Sequence, residues 1–227
     1  MPHFLTAFFL ALFITLPASA QIAPTDAELH AYNGLHAAAA RGDVAELEKR
    51  IAAGENKEAT DTRHRTPLHV AAFQKKHDAA RAVLRLGADP NKLEIDRYDI
   101  ITIASVANDV PMLKIAIEGG GNAKAITSRY DGTALIAAAH LGHAEIVRVL
   151  IAAKAPLDHV NNLNWTALIE SIVLGNGGMN HTDTLRALVD AGANVNIPDG
   201  SGLTPLKLAK NRGYNEMIAI LEKAGAK

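Results

Sequence analysis

The sequence predicts an all-α protein, a solenoid of about six helix-turn-helix units joined by polar, extended stretches. The first observation behind this is a period. Segments of one pattern begin at Asn33 (NGLHAAA), Thr66 (TPLHVAA), Asp99 (DIITIAS), Thr133 (TALIAAA), Thr166 (TALIESI) and Thr204 (TPLKLAK), with steps of 33, 33, 34, 33 and 38 residues. Self-similarity at such a period marks stacked repeats, each burying its apolar face against its neighbours. The second observation is a glycine that recurs twenty-one residues after each start, at Gly54, Gly87, Gly120 and Gly225. Lys154 takes its place in the fourth unit, and Gly192, displaced by five, in the fifth. The third is that apolar residues recur at helical spacing within each unit, while no strand run is long enough to build a sheet.

In chain order, the first twenty residues, MPHFLTAFFLALFITLPASA, carry no charged side chain and run apolar from Phe4 to Leu16. They predict a secretory signal cut after Ala20, since the run is short for a membrane span and ends in small residues. The leading segment lacks the usual Lys or Arg, and the alternative is an uncleaved anchor. Both place the remainder outside the cytoplasm. Residues 21–32 lie before the repeats and form either a packed extension or a loose tail, with a Thr25–Glu28 capping box able to start a short helix.

From residue 33 to 227 each unit repeats one plan. A Thr caps the first helix, a Pro when present follows in its first turn, and a short turn leads to a second helix such as GHAEIVRVLIAA. That helix ends where a glycine can take the left-handed conformation. Stretches such as ADPNKLEIDRYD and APLDHVNNLNW carry the chain to the next unit. In the fifth unit five extra residues fall within 175–180, inside LGNGGMNHT, and His181 is expected to resume the second helix. The sixth unit closes the stack with polar residues, Lys207, Lys210, Asn211, Arg212, Asn215 and Glu216 among them.

TPLHVAA at Thr66–Ala72, LGHAEIVRVLI at Leu141–Ile151 and DAGANVN at Asp190–Asn196 resemble ankyrin repeats. Six units in register extend the resemblance from about Leu35 to Gly225, and parts are similar to a group of exported bacterial ankyrin proteins of mostly undefined function. The resemblance implies short β-hairpin loops between repeats and a concave face that carries recognition. It places Tyr32, Arg65, Tyr98, Gly132 with Tyr130 beside it, Trp165 and Leu203 near the hairpin tips. It places Ala40, Arg41, Phe73, Gln74, Val106, Ala107, His140, Leu141, Val173, Leu174, Asn211 and Arg212 along the groove. From these sets the expected partner-binding residues are Tyr32, Arg65, Phe73, Tyr98, Val106, Tyr130, His140, Leu141, Trp165, Val173 and Leu174. An apolar centre with a polar rim, rich in Tyr and Trp, is the composition of a protein-binding patch. The same aromatics could instead pack against the next hairpin.

Chemistry has few other places to hide. His36, His69, His143 and His181 match structural histidines of the family. His140 and His143 stand three apart, but a turn separates them and no third metal ligand is evident. There is no nucleophile elbow and no paired-carboxylate pattern, and GNGG lacks the Lys-Ser/Thr of a nucleotide loop. Glu170 is the odd acid: it takes the fifth place of its unit, where the others carry Ala37, Val70, Ile103, Ala137 and Leu208. It is expected to accept hydrogen bonds from the glycine-rich loop or a neighbouring hairpin, or else to touch a ligand.

The chain has 48% hydrophobic and 21% charged residues, a net charge of −1 and no cysteine. The near-neutral balance gives no footprint for nucleic acid or an anionic membrane. Without cysteine there are no disulfides and no thiol chemistry, which suits a bacterial periplasm. The expectation is a monomeric, non-catalytic protein without cofactor or metal that binds another exported protein as an inhibitor, immunity or assembly factor, with no stable membrane insertion after signal removal. The competing expectation is a small-molecule- or metal-binding protein, or an enzyme, using His140, Glu170 and the 175–180 loop.

Overall fold

The computed structural model describes residues 21–227, so the expected signal lies outside the described residues. A short helix, α1 (Asp26–Ala31), comes first. Thr25 Oγ1 accepts the Glu28 N–H at 3.2 Å and Glu28 Oε2 accepts the Thr25 N–H at 2.7 Å, the reciprocal capping box that the spacing predicts. Six helix pairs follow: α2 (Gly34–Arg41) with α3 (Val44–Ala52), α4 (Pro67–Phe73) with α5 (His77–Arg85), and α6 (Ile100–Val106) with α7 (Val110–Glu118). One hairpin then contains two-residue strands, β1 (Ile126–Thr127) and β2 (Gly132–Thr133), paired antiparallel with Ile126 opposite Thr133. The remaining pairs are α8 (Ala134–His140) with α9 (Ala144–Ala152), α10 (Ala167–Val173) with α11 (Met179–Asp190), and α12 (Pro205–Arg212) with α13 (Asn215–Lys223).

The first helices begin where a side chain satisfies the free N–H groups of the first turn. Thr66, Thr133 and Thr166 accept from the N–H three residues on. In the third unit Asp99 does the same, receiving both the N–H and the hydroxyl of Thr102 at 2.7 Å. Two units depart from this plan. Asn33 makes no side-chain cap, and the Thr204 hydroxyl instead donates to Lys227 O at 2.8 Å, tying the last residue to the last unit.

The helices form two layers. Each first helix packs on the first helices before and after it, and each second helix likewise, so one apolar core runs through all six units. Adjacent small residues allow the first helices to approach: Ala38–Ala39, Ala71–Ala72 and Ala138–Ala139 are all buried. Ser105 takes the place of the second alanine of the pair in the third unit, and Ser171 that of the first in the fifth. Their hydroxyls donate to Ile101 O and Leu168 O, each at 2.7 Å, so the substitution leaves no buried donor unpaired.

The recurring glycines end the second helices as expected. Gly54, Gly87, Gly120, Gly192 and Gly225 have φ between 83° and 93°, and Lys154 adopts φ 65° in the unit that lacks the glycine. The insertion in the fifth unit is partly helical, which corrects the expected boundary. α11 has 12 residues where α9 has 9, and it starts at Met179, so His181 lies within its first turn and does not open it.

Candidate functional site

The linkers between units are tight hairpins braced by one side chain each. Asp61 Oδ1 accepts the N–H groups of Arg63 and Arg65 at 2.8 and 2.9 Å, and Asp199 Oδ1 those of Ser201 and Leu203, both at 2.9 Å. Asn161 Oδ1 holds Leu163 and Trp165 in the same way at 3.0 Å, Glu94 Oε1 holds Asp96 and Tyr98, and Ser128 Oγ holds Tyr130 and Gly132. Three residues after each brace the chain turns through positive φ, at His64, Arg97, Asp131, Asn164 and Gly202. Successive hairpins are joined through the backbone: Ile95 N–H donates to Arg63 O, Ser128 N–H to Arg97 O and Asn162 N–H to Tyr130 O, each at 3.0 Å. The result is a ladder of hairpins beside the layer of first helices.

That ladder carries most of the exposed large hydrophobics, with Ile22 of the amino-terminal extension outside it. Leu93, Ile95, Ile126, Tyr130, Val160 and Leu163 are exposed large hydrophobics on the hairpins, and Leu141 and Leu174 are exposed at the ends of α8 and α10. Of the second helices only α11 presents such a residue, Met179 at its first position. Sequence reasoning missed Leu93, Ile95, Ile126, Val160 and Leu163. Their signal was present: apolar residues in connecting stretches that a turn alone would leave polar.

The expected binding residues divide by burial. Tyr130, Leu141 and Leu174 are exposed. Phe73, Tyr98, Trp165 and Val173 are half-buried and pack against the core, so they serve both the stack and the surface, while Val106 and His140 are also partly exposed. Arg65 is a correction. The side chain expected at a hairpin tip is 0% exposed, with Nε 2.7 Å from Asp61 Oδ2 and a terminal nitrogen bonded to Glu28 of α1. The amino-terminal segment covers it, and Ile22 O also accepts from it at 3.4 Å. Tyr32 joins the same cluster, its hydroxyl donating to Asp61 Oδ2 at 2.6 Å. Residues 21–32 are thus a packed extension clamped by a buried cation.

The electrostatics fit this clamp. Burial pushes the Asp61 carboxyl up, but the bonds from Tyr32, Arg65 and Arg63 outweigh it and hold Asp61 below its usual range. Glu28 is also lowered, first by the Thr25 N–H and also by Arg65. Tyr32 is raised, chiefly by burial and then by Asp61.

Four histidines are structural, as expected. His36 Nε2 lies 2.8 Å from Arg65 O, His143 Nδ1 lies 3.0 Å from Ser105 O and His181 Nε2 lies 2.9 Å from His140 O. His69 Nδ1 accepts the Thr66 N–H at 3.1 Å, which leaves Nε2 to carry the proton toward Lys92 O at 3.0 Å. That neutral form agrees with burial lowering its pKa from 6.5 to about 4.

Glu170 is 3% exposed. Oε1 accepts from Asn161 Nδ2 of the preceding hairpin at 3.1 Å, and Oε2 lies 3.3 Å from His140 Nδ1. The neighbouring hairpin, not the glycine-rich loop, therefore supplies its donor. The loop has work of its own. A Cβ at Gly175 would sit 2.0 Å from Ser171 O, and Gly175 O accepts the Tyr214 hydroxyl at 2.9 Å. Gly177 has φ 69° and lies under the Tyr214 ring. Only this one of the loop's glycines needs positive φ; Gly175 needs the space, and Gly178 is the N-cap of α11 in extended conformation. Among the described residues, no three His, Asp or Glu side chains form a group able to hold a metal ion. No helix among them is long and apolar enough to cross a membrane.

Family models for ankyrin repeats match residues 101–199, as three copies, and 63–94, as one. The chain is 30% identical to the ankyrin repeat protein YahD of Escherichia coli (strain K12), over 83% of this chain and 94% of that protein. It is 27% identical to the B-cell lymphoma 3 protein homolog of Mus musculus over 71% of this chain, which is 36% of that protein. Among solved structures, an ankyrin repeat domain from Acinetobacter baumannii AYE superposes with a TM-score of 0.81 at 40% identity, covering 85% of this chain and 98% of that one. A second ankyrin repeat protein gives 0.79 at 28% identity with the same coverages.

Proposed function

The chain belongs to the ankyrin-repeat family, and from that premise we propose that it is a non-catalytic periplasmic protein that grips another exported protein with its hairpins and first helices. Ankyrin repeats generally mediate contacts between proteins, and the family's members are generally binding modules without catalytic activity. One observation carries the reading for this chain: most of its exposed large hydrophobics lie on the hairpins that join units two to five and at the ends of α8 and α10, and Met179 of α11 is the one such residue on the second helices. Tyr130, Leu141 and Leu174 anchor that surface, and Phe73 and Trp165, half-buried against the core, add to it. Exposed apolar side chains in the middle units, with polar residues at the ends of the stack, are what a protein partner desolvates.

The periplasmic part of the proposal rests on the leader MPHFLTAFFLALFITLPASA and on the absence of cysteine. The role is that of an inhibitor, immunity or assembly factor, which acts by occupying a surface. The test uses the exposed anchors, whose truncation leaves the core alone. Tyr130→Ala, Leu141→Ala and Leu174→Ala together are expected to abolish co-purification of a partner from periplasmic extract, with the thermal midpoint within a few degrees of the parent. Undiminished capture by the folded triple variant would remove this surface from the reading.

A further inference from the structure

The fifth place of a unit does not require charge. Ala37, Val70, Ile103, Ala137 and Leu208 fill it elsewhere, yet the fifth unit buries Glu170 there. One oxygen of this carboxylate is committed. Asn161 Oδ1 is fixed by the N–H groups of Leu163 and Trp165, so its amide nitrogen is aimed at Glu170 Oε1. The other oxygen, Oε2, is closed to solvent and accepts no hydrogen bond from any described residue. His140 Nδ1 stands 3.3 Å away without the alignment of a hydrogen bond. The His140 ring itself has no hydrogen bond among the described residues, and its side chain keeps 27% of its surface exposed at the end of α8. A buried carboxylate oxygen without a hydrogen bond is held in place, its one charged neighbour a ring that nothing else restrains.

We propose that this oxygen is a subsite for a primary ammonium group, a lysine side chain of the protein gripped by the groove, reached when the His140 ring turns outward. The assignment rests on the binding reading above and names one contact within it. A buried carboxylate is stabilised by a cation that can also donate a hydrogen bond. The choice of ammonium over guanidinium follows from the geometry of what is free. A guanidinium fork matches two carboxylate oxygens at once, whereas Asn161 already holds Oε1, leaving a single acceptor that suits a compact point charge. Leu141, next to His140, and Leu174, one helical turn after Glu170, are exposed and would cover an alkyl stem.

Trp165, the one tryptophan of the chain, reports on the site, because its backbone N–H donates to the same Asn161 Oδ1 at 3.0 Å. The full chain is titrated at constant ionic strength with Nα-acetyl-lysine amide, its neutral Nε-acetylated form and Nα-acetyl-arginine amide, while Trp165 fluorescence is read. The expected result is a saturable response to the lysine compound, at least tenfold weaker with the neutral one and several-fold weaker with the arginine one. Glu170→Leu, which copies Leu208 of the sixth unit, is expected to fold and to lose the response; Glu170→Gln serves if it does not fold. An equal response to the neutral compound, no saturation in the parent, or an unchanged response in the Glu170 variants overturns the subsite. Equal or tighter binding of the arginine compound overturns the ammonium assignment. If Glu170→Leu captures the partner as the parent does while the triple variant of the groove does not, the groove stands and the subsite falls. A lost lysine response in the Glu170 variants beside undiminished capture by the triple variant would have the opposite meaning.

Discussion

At the scale of single residues, and with Glu170 Oε2 an exception, most buried polar groups in this fold have partners that the local geometry sets. His69 is the clearest case. Its Nδ1 accepts from Thr66 and its Nε2 faces Lys92 O, so both ring nitrogens are used by the neutral form and protonation must break one contact. Burial lowers its pKa from 6.5 to about 4, so the unfolded chain binds the extra proton in that window. Stability is therefore full above pH 6.5 and falls as the pH drops toward 4, by about 1.4 kcal/mol per pH unit for one proton. Glu28 and Asp61, with lowered values, lose their contribution only at still lower pH. Asp99 and Glu94, raised by burial, act with the opposite sign. His69→Gln is expected to cost about 1–3 kcal/mol at pH 7 and to flatten the decline between pH 6.5 and 5. Urea midpoints of parent and variant at the two pH values measure this, and parallel slopes would contradict it.

Residues also show where sequence reading stops. The histidines of the fourth place were legible because each repeat poses them the same hydrogen-bonding problem. Arg65 was not, because its counter-charge Glu28 lies 37 residues away in a helix outside the period, and the family pattern at that place implies an exposed tip. Glu170 was legible as an anomaly through comparison with its five equivalents, but its pairing with Asn161 and His140 depends on how one hairpin meets two helices.

At the scale of elements, helix ends follow from local chemistry closely enough to make exceptions informative. Five second helices finish at glycine in the left-handed region, and α9 finishes at Lys154 with φ 65°. A residue with a Cβ is strained there by about 1–2 kcal/mol. Lys154 is exposed and has no ion pair among the described residues, so little opposes its replacement. Lys154→Gly is expected to raise stability by about 1 kcal/mol, read as a higher urea midpoint, and a lower midpoint would mean that Lys154 makes a contribution outside its backbone. The insertion in the fifth unit gives the complementary lesson. The period located five extra residues within 175–180, but how they divide between loop and helix is a tertiary matter. Tyr214 holds Gly175 O, His181 reaches back to His140 O, and α11 begins three residues earlier than the period alone implies.

At the scale of the whole molecule, the two-layer stack separates two tasks. Alanine pairs and apolar faces join neighbouring units through one core, and the hairpin ladder displays a strip of side chains that the core does not need. This division was legible from the period, since a repeat can bury only the face that meets its neighbours. Which hairpin residues remain apolar and exposed required the structure, because Leu93, Ile95 and Val160 sit beside braces whose orientation decides the side that each residue takes. The central claim is that recognition belongs to this face and not to the second helices. Its most direct test is position-resolved photocrosslinking in periplasmic extract, with a photoreactive side chain placed in turn at Leu141 and at Arg148 of α9. The account predicts a discrete crosslinked product from position 141 and none from position 148; a product from 148 alone would contradict it.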